Sequence, residues 1–266
     1  MKKRKVLGAV LKMAPRILAT FTFYIWKYAR HPEKYPIEVR YNRIRRLIIK
    51  IIDTLHVDQK VEGIENLREL EAKDQRYLAV SNHLDVIDPL MFIYHSEKPL
   101  TFVGKKEILK IPFVRTIIKA LDGMFLDRND LRDGIRVIKN TERLIKENIC
   151  SVAIFPEGTR NKNPDGDLPE FHGGTFKPAF RIGCPVLPIA SFGSQKIVGE
   201  SYKRTPYDIA FLPIEYATES TDGNSISFSE KIHDLIAEKM YEQRDDVHKF
   251  IEEGKNKIPM RKGKVR

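Results

Sequence analysis

A histidine and an aspartate stand five positions apart in the segment SNHLDVIDPL, at His83 and Asp88. An imidazole with a carboxylate near it can take a proton from an alcohol, because the carboxylate fixes the imidazole tautomer and stabilises the imidazolium that forms. Further along the chain, residues 155–160 (FPEGTR) combine a turn-forming glycine with hydroxyl and guanidinium donors of the kind that hold a phosphate. Together the two segments favour acyl transfer to a phosphorylated alcohol.

The spacing of histidine and acidic residue is by itself a weak motif. His233 and His248 each have a glutamate at the same offset, Glu238 and Glu253, inside charged patterns typical of solvated helix faces. For His83, the competing interpretation is a loop histidine followed by a helix-capping aspartate.

The sequence around His83 separates it from the other histidines. Residues 76–82 (RYLAVSN) are typical of a short buried strand, and residues 86–94 (VIDPLMFIY) begin the next element. His83 is therefore predicted just past the carboxyl end of a strand. In open α/β sheets, this edge is where ligands bind.

Three further segments follow in order: GMFLDR at residues 123–128, FPEGTR at residues 155–160 and CPVLPIA at residues 184–190. With the block around His83, their order and spacing resemble the four sequence blocks of the glycerolipid acyltransferases, most closely those that act on 1-acyl-sn-glycerol 3-phosphate. The resemblance covers residues 76–195, roughly half of the chain. Leu126 departs from the commonest pattern, which has isoleucine or valine there, and this change is conservative.

Acyl transfer needs a base, because an alcohol hydroxyl is a poor nucleophile at neutral pH. His83 is the predicted base and Asp88 its orienting carboxylate, so the pair would act like two members of a serine-protease triad with the substrate hydroxyl in place of the serine. No acyl-enzyme is then required. Backbone N–H groups in the loop around His83 are expected to polarise the acyl carbonyl.

The acceptor phosphate needs cationic donors, and guanidinium groups suit its paired oxygens. The resemblance implies that Arg128 and Arg160 hold it, with backbone and hydroxyl donors from Gly158 and Thr159. Glu157 cannot contact a dianionic phosphate favourably, so we expect it to accept from a glycerol hydroxyl or to position an arginine.

Lys105 is a further phosphate candidate, although Lys106 beside it is equally suited and either is open to interpretation as a surface charge. For the arginines and Glu157, the competing interpretation is a set of local ion pairs. Arg128 would then pair with Asp127 or Asp130, and Glu157 with Arg160.

The resemblance implies lysophosphatidic acid as the acceptor and phosphatidic acid as the product, with glycerol 3-phosphate or another lysophospholipid as further possible acceptors. The expected donor is an acyl thioester of acyl carrier protein or of coenzyme A. The sequence has no Cys/His cluster at metal-ligand spacing, no GxGxxG pattern and no P-loop, so neither a metal nor another cofactor is expected. A non-catalytic lipid-surface adaptor and a thioesterase remain the rival hypotheses.

The excess positive charge is concentrated at the beginning of the chain. Residues 1–50 contain 14 Lys and Arg against two Glu, whereas the whole chain of 266 residues has a net charge of +11. Apolar residues recur there at helical spacing and predict two amphipathic helices, with Pro15 starting or kinking the first. The longest uncharged stretch, residues 17–26, is too short for a membrane span, which needs about 20 residues.

Aromatic residues mixed with Leu and Ile in this basic segment favour binding to an anionic membrane surface. A secretory signal is disfavoured because Arg16 interrupts the apolar segment. Basic helices of this kind could also dock on nucleic acid or simply pack on the domain, and we predict no nucleic-acid partner. With Cys150 and Cys184 both in apolar strand contexts and a reducing environment expected, we predict a peripheral, monotopic protein on the cytoplasmic face of the cell membrane.

The remaining chain alternates between strand-like and helix-like stretches, which predicts an α/β fold with a mixed, mostly parallel sheet flanked by helices. Predicted strands are 59–61, 77–81, 100–103, 124–126, 151–155, 186–191, 208–212 and 225–228, and predicted helices are 86–95, 106–120, 131–147, 174–182 and 229–252. The predicted units are an N-terminal amphipathic two-helix membrane-binding motif (1–56), a catalytic α/β domain (57–253) and a basic tail (254–266).

Overall fold

The computed structural model describes residues 4–127, 129–199, 202–217 and 224–257. Arg128, predicted to bind phosphate, lies outside these residues, as does the part of the predicted tail beyond residue 257.

Ten α-helices and seven β-strands follow one another along the described chain. The helices are α1 (Arg4–Thr20), α2 (Trp26–Arg30), α3 (Ile37–Thr54), α4 (Ile64–Ala72), α5 (Asp88–His95), α6 (Pro112–Ala120), α7 (Leu131–Lys146), α8 (Lys177–Ile182), α9 (Ser194–Gly199) and α10 (Ser225–Glu252). The strands are β1 (Val57–Glu62), β2 (Leu78–Ser81), β3 (Leu100–Lys105), β4 (Met124–Leu126), β5 (Ser151–Ile154), β6 (Val186–Phe192) and β7 (Thr205–Phe211).

All seven strands form one sheet in the order β1-β7-β6-β2-β5-β3-β4. Every neighbouring pair is parallel except β6 and β7, which run antiparallel. The predicted mixed, mostly parallel sheet is thereby confirmed. Because β2, β5, β3 and β4 are consecutive parallel neighbours, their carboxyl ends meet at one edge.

Helices cover both faces of the sheet. Alternate side chains of β2 point to opposite faces, so Leu78 and Val80 belong to one buried cluster and Ala79 to the other. The cluster that contains Ala79 takes its helical side chains mainly from α2 to α6, and the other takes them mainly from α7, α8 and α10. The sheet is therefore the middle layer of a three-layer α/β/α sandwich.

Two sequence-based assignments need correction. Residues 225–228 form the first turn of α10 rather than a strand, because the Asn224 side chain accepts a hydrogen bond from the Ile226 N–H and caps the helix. The predicted helix 106–120 is broken in two, with a 3₁₀ turn (Lys106–Lys110) before α6. Pro112 starts α6, since proline lacks the N–H that a helix interior requires but suits its first turn.

The predicted N-terminal helices are present. The first runs from α1 through a π-helical turn (Phe21–Ile25) into α2, and Pro15 lies inside it rather than at its start. The second is α3. None of the helices within the described ranges combines the length and the apolar character that a membrane crossing demands.

The N-terminal helices pack against the rest of the fold. Ile25, Tyr41 and Ile44 are almost fully buried and share a core cluster with residues of the sheet. The buried Arg40 of α3 donates to both carboxylate oxygens of Asp122 at 2.9 and 2.7 Å and thus ties α3 to the turn after α6. One apolar core therefore joins the N-terminal helices to the sheet.

Candidate functional site

The loop between β2 and α5 brings His83 and Asp88 together. The Nδ1 atom of His83 lies 2.9 Å from Oδ2 of Asp88, which is completely buried at the start of α5. The same oxygen accepts hydrogen bonds from the backbone N–H groups of Leu84 at 2.7 Å and Asp85 at 2.8 Å. Asp88 thus binds the loop before its helix and makes no side-chain cap on the helix itself.

These contacts decide which nitrogen of His83 faces outward. The carboxylate accepts from Nδ1, which leaves Nε2 unprotonated in the neutral ring and able to accept a proton. Nε2 makes no hydrogen bond to any residue that the structure describes, and 18% of the His83 side chain is exposed. His83 and Asp88 therefore have the geometry of a general base with its orienting carboxylate.

A second buried carboxyl group holds the backbone of His83. Oε1 of Glu157 accepts from the His83 N–H at 2.6 Å, and the Asn161 N–H donates to the His83 carbonyl at 2.8 Å. The loop after β5 therefore fixes the position of His83 from both sides. Glu157 forms no ion pair with Arg160, which was the alternative considered from the sequence, because its carboxyl accepts the hydrogen bond from His83 instead.

Glu157 is only 5% exposed, and its Oε2 is buried without a hydrogen-bond partner among the described residues. Burial raises the pKa of Glu157 to about 8; the hydrogen bond from His83 partly offsets this rise and the nearby charge of Asp88 adds to it. At neutral pH, Glu157 is therefore mostly protonated and adds little negative charge to the site.

The N–H groups of His83, Leu84 and Asp85 all donate to carboxyl groups. They are therefore already engaged and not free to polarise an acyl carbonyl, contrary to the expectation from sequence. The ring of His83 also stacks on Phe155, with centroids 4.1 Å apart and an interplanar angle of 22°. This contact limits rotation of the imidazole.

Gly158, Thr159 and Arg160 lie early in the loop after β5, where Thr159 and Arg160 are exposed and Gly158 is partly buried. Gly158 has a φ of 68°, a left-handed conformation that favours glycine, and its N–H donates to the Phe155 carbonyl. Neither the backbone N–H groups nor the side chains of Thr159 and Arg160 hydrogen-bond to another described residue. These donors are open to a ligand.

Arg160 faces the loop that carries the histidine. Burial and the neighbouring Asp88 raise the pKa of Asp85, and the charge of Arg160 acts in the opposite direction. A positive charge thus lies next to the His83 loop, in the loop that follows β5, the strand adjacent to β2.

Among the other predicted phosphate ligands, Lys105 lies on the next strand along the same edge. Lys105 is the exposed last residue of β3 and pairs in register with Leu126 of β4, two residues before Arg128. Lys106 instead forms an ion pair with Asp127 at the surface, with its Nζ atom 3.2 Å from Oδ2. Of the two lysines, Lys105 is thus the one without an ion pair to a described residue.

Three further residues complete this site. The sequence assigned no role to Phe155 or Asn161, and indicated for Asn82 only that it could shape the loop beside the base. Phe155 stacks on the base, Asn161 holds its carbonyl, and Asn82 joins β2 to β6 through two hydrogen bonds of 2.9 Å to the backbone of Ser191. The position of each next to a motif was the only available signal, because their partners are distant in sequence.

The other histidines make different contacts. His233 and His248 contact Asp234 and Asp165 rather than the glutamates at the matching offset, and both are partly buried. His172 belongs to the loop after β5, where its N–H donates to the Pro156 carbonyl. Among the residues described, no group of three His, Cys, Asp or Glu side chains could hold a metal ion.

Comparison with known proteins finds a family model and several relatives that match this chain. A family model described as Acyltransferase matches residues 58–191. A 1-acyl-sn-glycerol-3-phosphate acyltransferase of Borreliella burgdorferi is 31% identical over 134 residues, which are 50% of this chain and 51% of that protein. A probable enzyme of the same name from Mycoplasma genitalium is 31% identical over 177 residues, 63% of this chain and 61% of that protein. The chain thus spans about half to two thirds of the length of these relatives.

A similar fold has been solved in the 1-acyl-sn-glycerophosphate (LPA) acyltransferase of Thermotoga maritima. The two structures superpose with a TM-score of 0.67 over 91% of this chain and 96% of that one, at 23% sequence identity. At this identity, the likeness shows a shared architecture.

Proposed function

This chain belongs to the acyltransferase family, and from that premise we propose that it transfers a fatty acyl group from an acyl thioester to the free hydroxyl of 1-acyl-sn-glycerol 3-phosphate, giving phosphatidic acid. The observation that carries the proposal is the 2.9 Å contact between His83 Nδ1 and the buried Asp88, which leaves Nε2 free to act as a base.

Nε2 of His83 takes the proton of the acceptor hydroxyl as its oxygen attacks the thioester carbonyl. The tetrahedral intermediate then expels the thiolate, which recovers that proton from the imidazolium. Asp88 stabilises the imidazolium, while the N–H groups of Leu84 and Asp85 hold the carboxylate in place. Acyl group and proton are both accounted for without a covalent enzyme intermediate.

Arg160 and the donors of Thr159 bind the acceptor phosphate, together with Arg128 and Lys105 from the ends of β4 and β3. The positions of Lys105, Thr159 and Arg160 on one edge support this assignment, since adjacent strands are about 4.8 Å apart. In the sequence, Arg128 follows the last residue of β4 by two positions. Glu157 acts as a positioning residue, because its buried carboxyl accepts from the His83 N–H and holds the backbone of the base.

Membrane binding is assigned to the N-terminal unit, residues 1–56. Its first helical stretch exposes large apolar side chains between basic ones, and Leu18 and Trp26 are 67% and 48% exposed. The start of α6 adjoins it, because Phe113 stacks on Phe21 with centroids 4.8 Å apart. Such a surface suits an anionic lipid interface, so we place the protein peripherally on the cytoplasmic face of the cell membrane, with residues 57–253 as the catalytic unit.

An acyl-transfer assay tests the proposal. Purified protein is given a panel of lysophospholipids and glycerol 3-phosphate, each with acyl carrier protein and coenzyme A thioesters. We expect phosphatidic acid from lysophosphatidic acid and a loss of at least about a hundredfold in kcat for His83→Ala. Unchanged turnover in His83→Ala would remove the assigned base, and hydrolysis of the thioester alone would make the protein a thioesterase.

The phosphate assignment has its own variant. Arg160→Ala removes a charge-assisted contact, so KM for the acceptor should rise about tenfold or more while KM for the donor changes little. Lys162→Ala, which removes another exposed charge two residues away, is the matched control. Equal effects of both variants would indicate general electrostatics rather than a phosphate ligand.

A further inference from the structure

The outer face of α7 carries a stripe of positive charge that the proposed chemistry does not use. Its exposed members recur every three or four residues and so lie on one side of the helix: Arg132, Arg136, Lys139, Arg143 and Lys146. The opposite side of α7 is buried, with Val137, Leu144 and Ile145 in the core. We call the five cationic residues the α7 stripe.

Little negative charge neutralises the α7 stripe. Arg136 contacts Asp133 at 3.0 Å and Arg143 contacts Glu147 at 3.2 Å, both at the surface, where such pairs contribute little. The other three cations form no ion pair within the part of the chain that the structure describes. Glu142 pairs instead with Arg181 of α8.

The α7 stripe surrounds a shallow, open groove between the side chains of the helix. The groove has a volume of about 580 Å³, and four cations of the stripe line it with Ile135 and Asn140. Ile135 is 46% exposed and Leu131, one turn earlier, is 81% exposed. Cations around exposed aliphatic side chains are suited to an acidic protein surface with an apolar centre.

The position of α7 connects the groove to the catalytic edge. The helix starts shortly after the end of β4, so Arg132 lies at the edge that carries His83. Three strand spacings separate β4 from β2, roughly 14 Å. From Arg132 to Lys146 the stripe extends along the helix for roughly 21 Å, which exceeds what the phosphates of one nucleotide require.

We propose that the α7 stripe is the docking surface for an acidic carrier protein that bears the acyl thioester, so that its prosthetic arm reaches across the strand ends to His83. This inference rests on the proposed acyl transfer and specifies its donor. Two features favour a protein over a lipid surface. The stripe lies on the face of the sheet opposite the N-terminal helices, and its length matches a helix of a partner.

Charge reversal on the α7 stripe tests the proposal. Arg132→Glu combined with Lys139→Glu breaks no ion pair to a described residue, and glutamate is a good helix former at both positions. The full-length variant and the wild type are compared with acyl carrier protein and coenzyme A thioesters of the same acyl chain. Lys203→Glu with Lys249→Glu, exposed cations toward the opposite edge of the sheet, is the matched control.

We expect KM for the carrier-protein thioester to rise about tenfold or more at low salt in the stripe variant only, while KM for the coenzyme A thioester changes less than about twofold. Equal changes for both donors, or none, would overturn the docking surface. Weaker binding to anionic vesicles with both KM values unchanged would instead make the α7 stripe a lipid contact. If the wild type transfers from neither donor, the proposed function itself fails.

Discussion

The contacts around His83 give the carboxylate of Asp88 two roles. Three donors converge on Oδ2 of Asp88: the imidazole and the N–H groups of Leu84 and Asp85. The carboxylate therefore shapes the loop and orients the base at once. A substitution that keeps its shape but not its charge separates these two roles.

Asp88→Asn is expected to lower kcat by about a hundredfold or more, because an amide cannot stabilise the imidazolium that forms during transfer. The midpoint temperature of thermal unfolding should fall much less in Asp88→Asn than in Asp88→Ala. The alanine leaves the N–H groups of Leu84 and Asp85 without their acceptor. Steady-state kinetics and calorimetry of the two variants provide the comparison. A kcat near that of the wild type in Asp88→Asn would contradict the orienting role.

The raised pKa of Glu157 makes the free energy of unfolding depend on pH, and the direction of the pKa shift fixes the direction of this dependence. Its pKa is about 8 in the folded protein, above the ordinary value of 4.5, so between these limits the folded state holds a proton that the unfolded chain has lost. The free energy of unfolding therefore falls as pH rises through this window. A side chain that cannot ionise should abolish that fall.

We expect Glu157→Gln to gain stability over the wild type by roughly 1 kcal/mol per pH unit between about pH 6 and 8. Urea unfolding at several pH values measures the difference. Glu170→Gln, at an exposed site, should follow the wild type in parallel. Parallel curves for Glu157→Gln as well would show that the carboxyl is already ionised at neutral pH.

At the scale of elements, α3 supports α5, the helix that carries the proposed orienting carboxylate of Asp88. The buried hydroxyl of Tyr41 donates to the Ser96 carbonyl at 3.1 Å, and Arg45 donates to the Tyr94 carbonyl at 3.1 Å. Both acceptors lie at the end of α5, which begins at Asp88. The N-terminal helices thus have a buried side that positions α5 and an exposed side available to lipid.

The exposed side of the first helical stretch can be altered without touching the core. Leu18→Ser with Trp26→Ser should weaken binding to anionic vesicles by about tenfold or more, because each change removes apolar surface from the proposed lipid contact. Ile226→Ser, at a 61% exposed position in α10, is the control. Vesicle sedimentation at raised salt measures the difference, and undiminished binding of the double variant would argue against this surface.

At the scale of the whole molecule, the proposed membrane-binding unit and the proposed catalytic unit share one apolar core. Removing residues 1–56 would uncover the partners of Ile25, Tyr41 and Ile44, so a truncated protein would lose stability along with its proposed anchor. Point variants on the exposed side are therefore the better test of membrane binding. The shared core also predicts that the two units unfold together.

We expect urea unfolding followed by fluorescence of Trp26, the single tryptophan, to coincide with unfolding followed by far-UV circular dichroism. Ile44→Ala should lower the free energy of unfolding by about 2–5 kcal/mol and shift both curves equally. An earlier fluorescence transition would show instead that the N-terminal helices separate from the sheet before it unfolds.

Most of the architecture followed from local patterns. The four neighbouring parallel strands β2, β5, β3 and β4 are close to their predicted positions, because parallel strands of this kind are short apolar runs. Residues 225–228 were misassigned because their alternation resembles a strand, whereas the cap at Asn224 and the packing of α10 on the sheet make them helical. The break at Pro112 was underestimated for a similar reason, since the amphipathic period continues across it.

By itself, the sequence determined the pairing of His83 with Asp88, the α/β fold and the basic, amphipathic character of the N-terminus. These depend on residues near one another in the chain, and short spacing limits the conformations that can join them. Only the tertiary structure decided that Glu157, 74 residues away, holds the backbone of His83, and that α3 supports α5 from behind. Such contacts depend on which strands become neighbours, and the order of strands in a sheet is set by packing over the whole chain rather than by any local pattern.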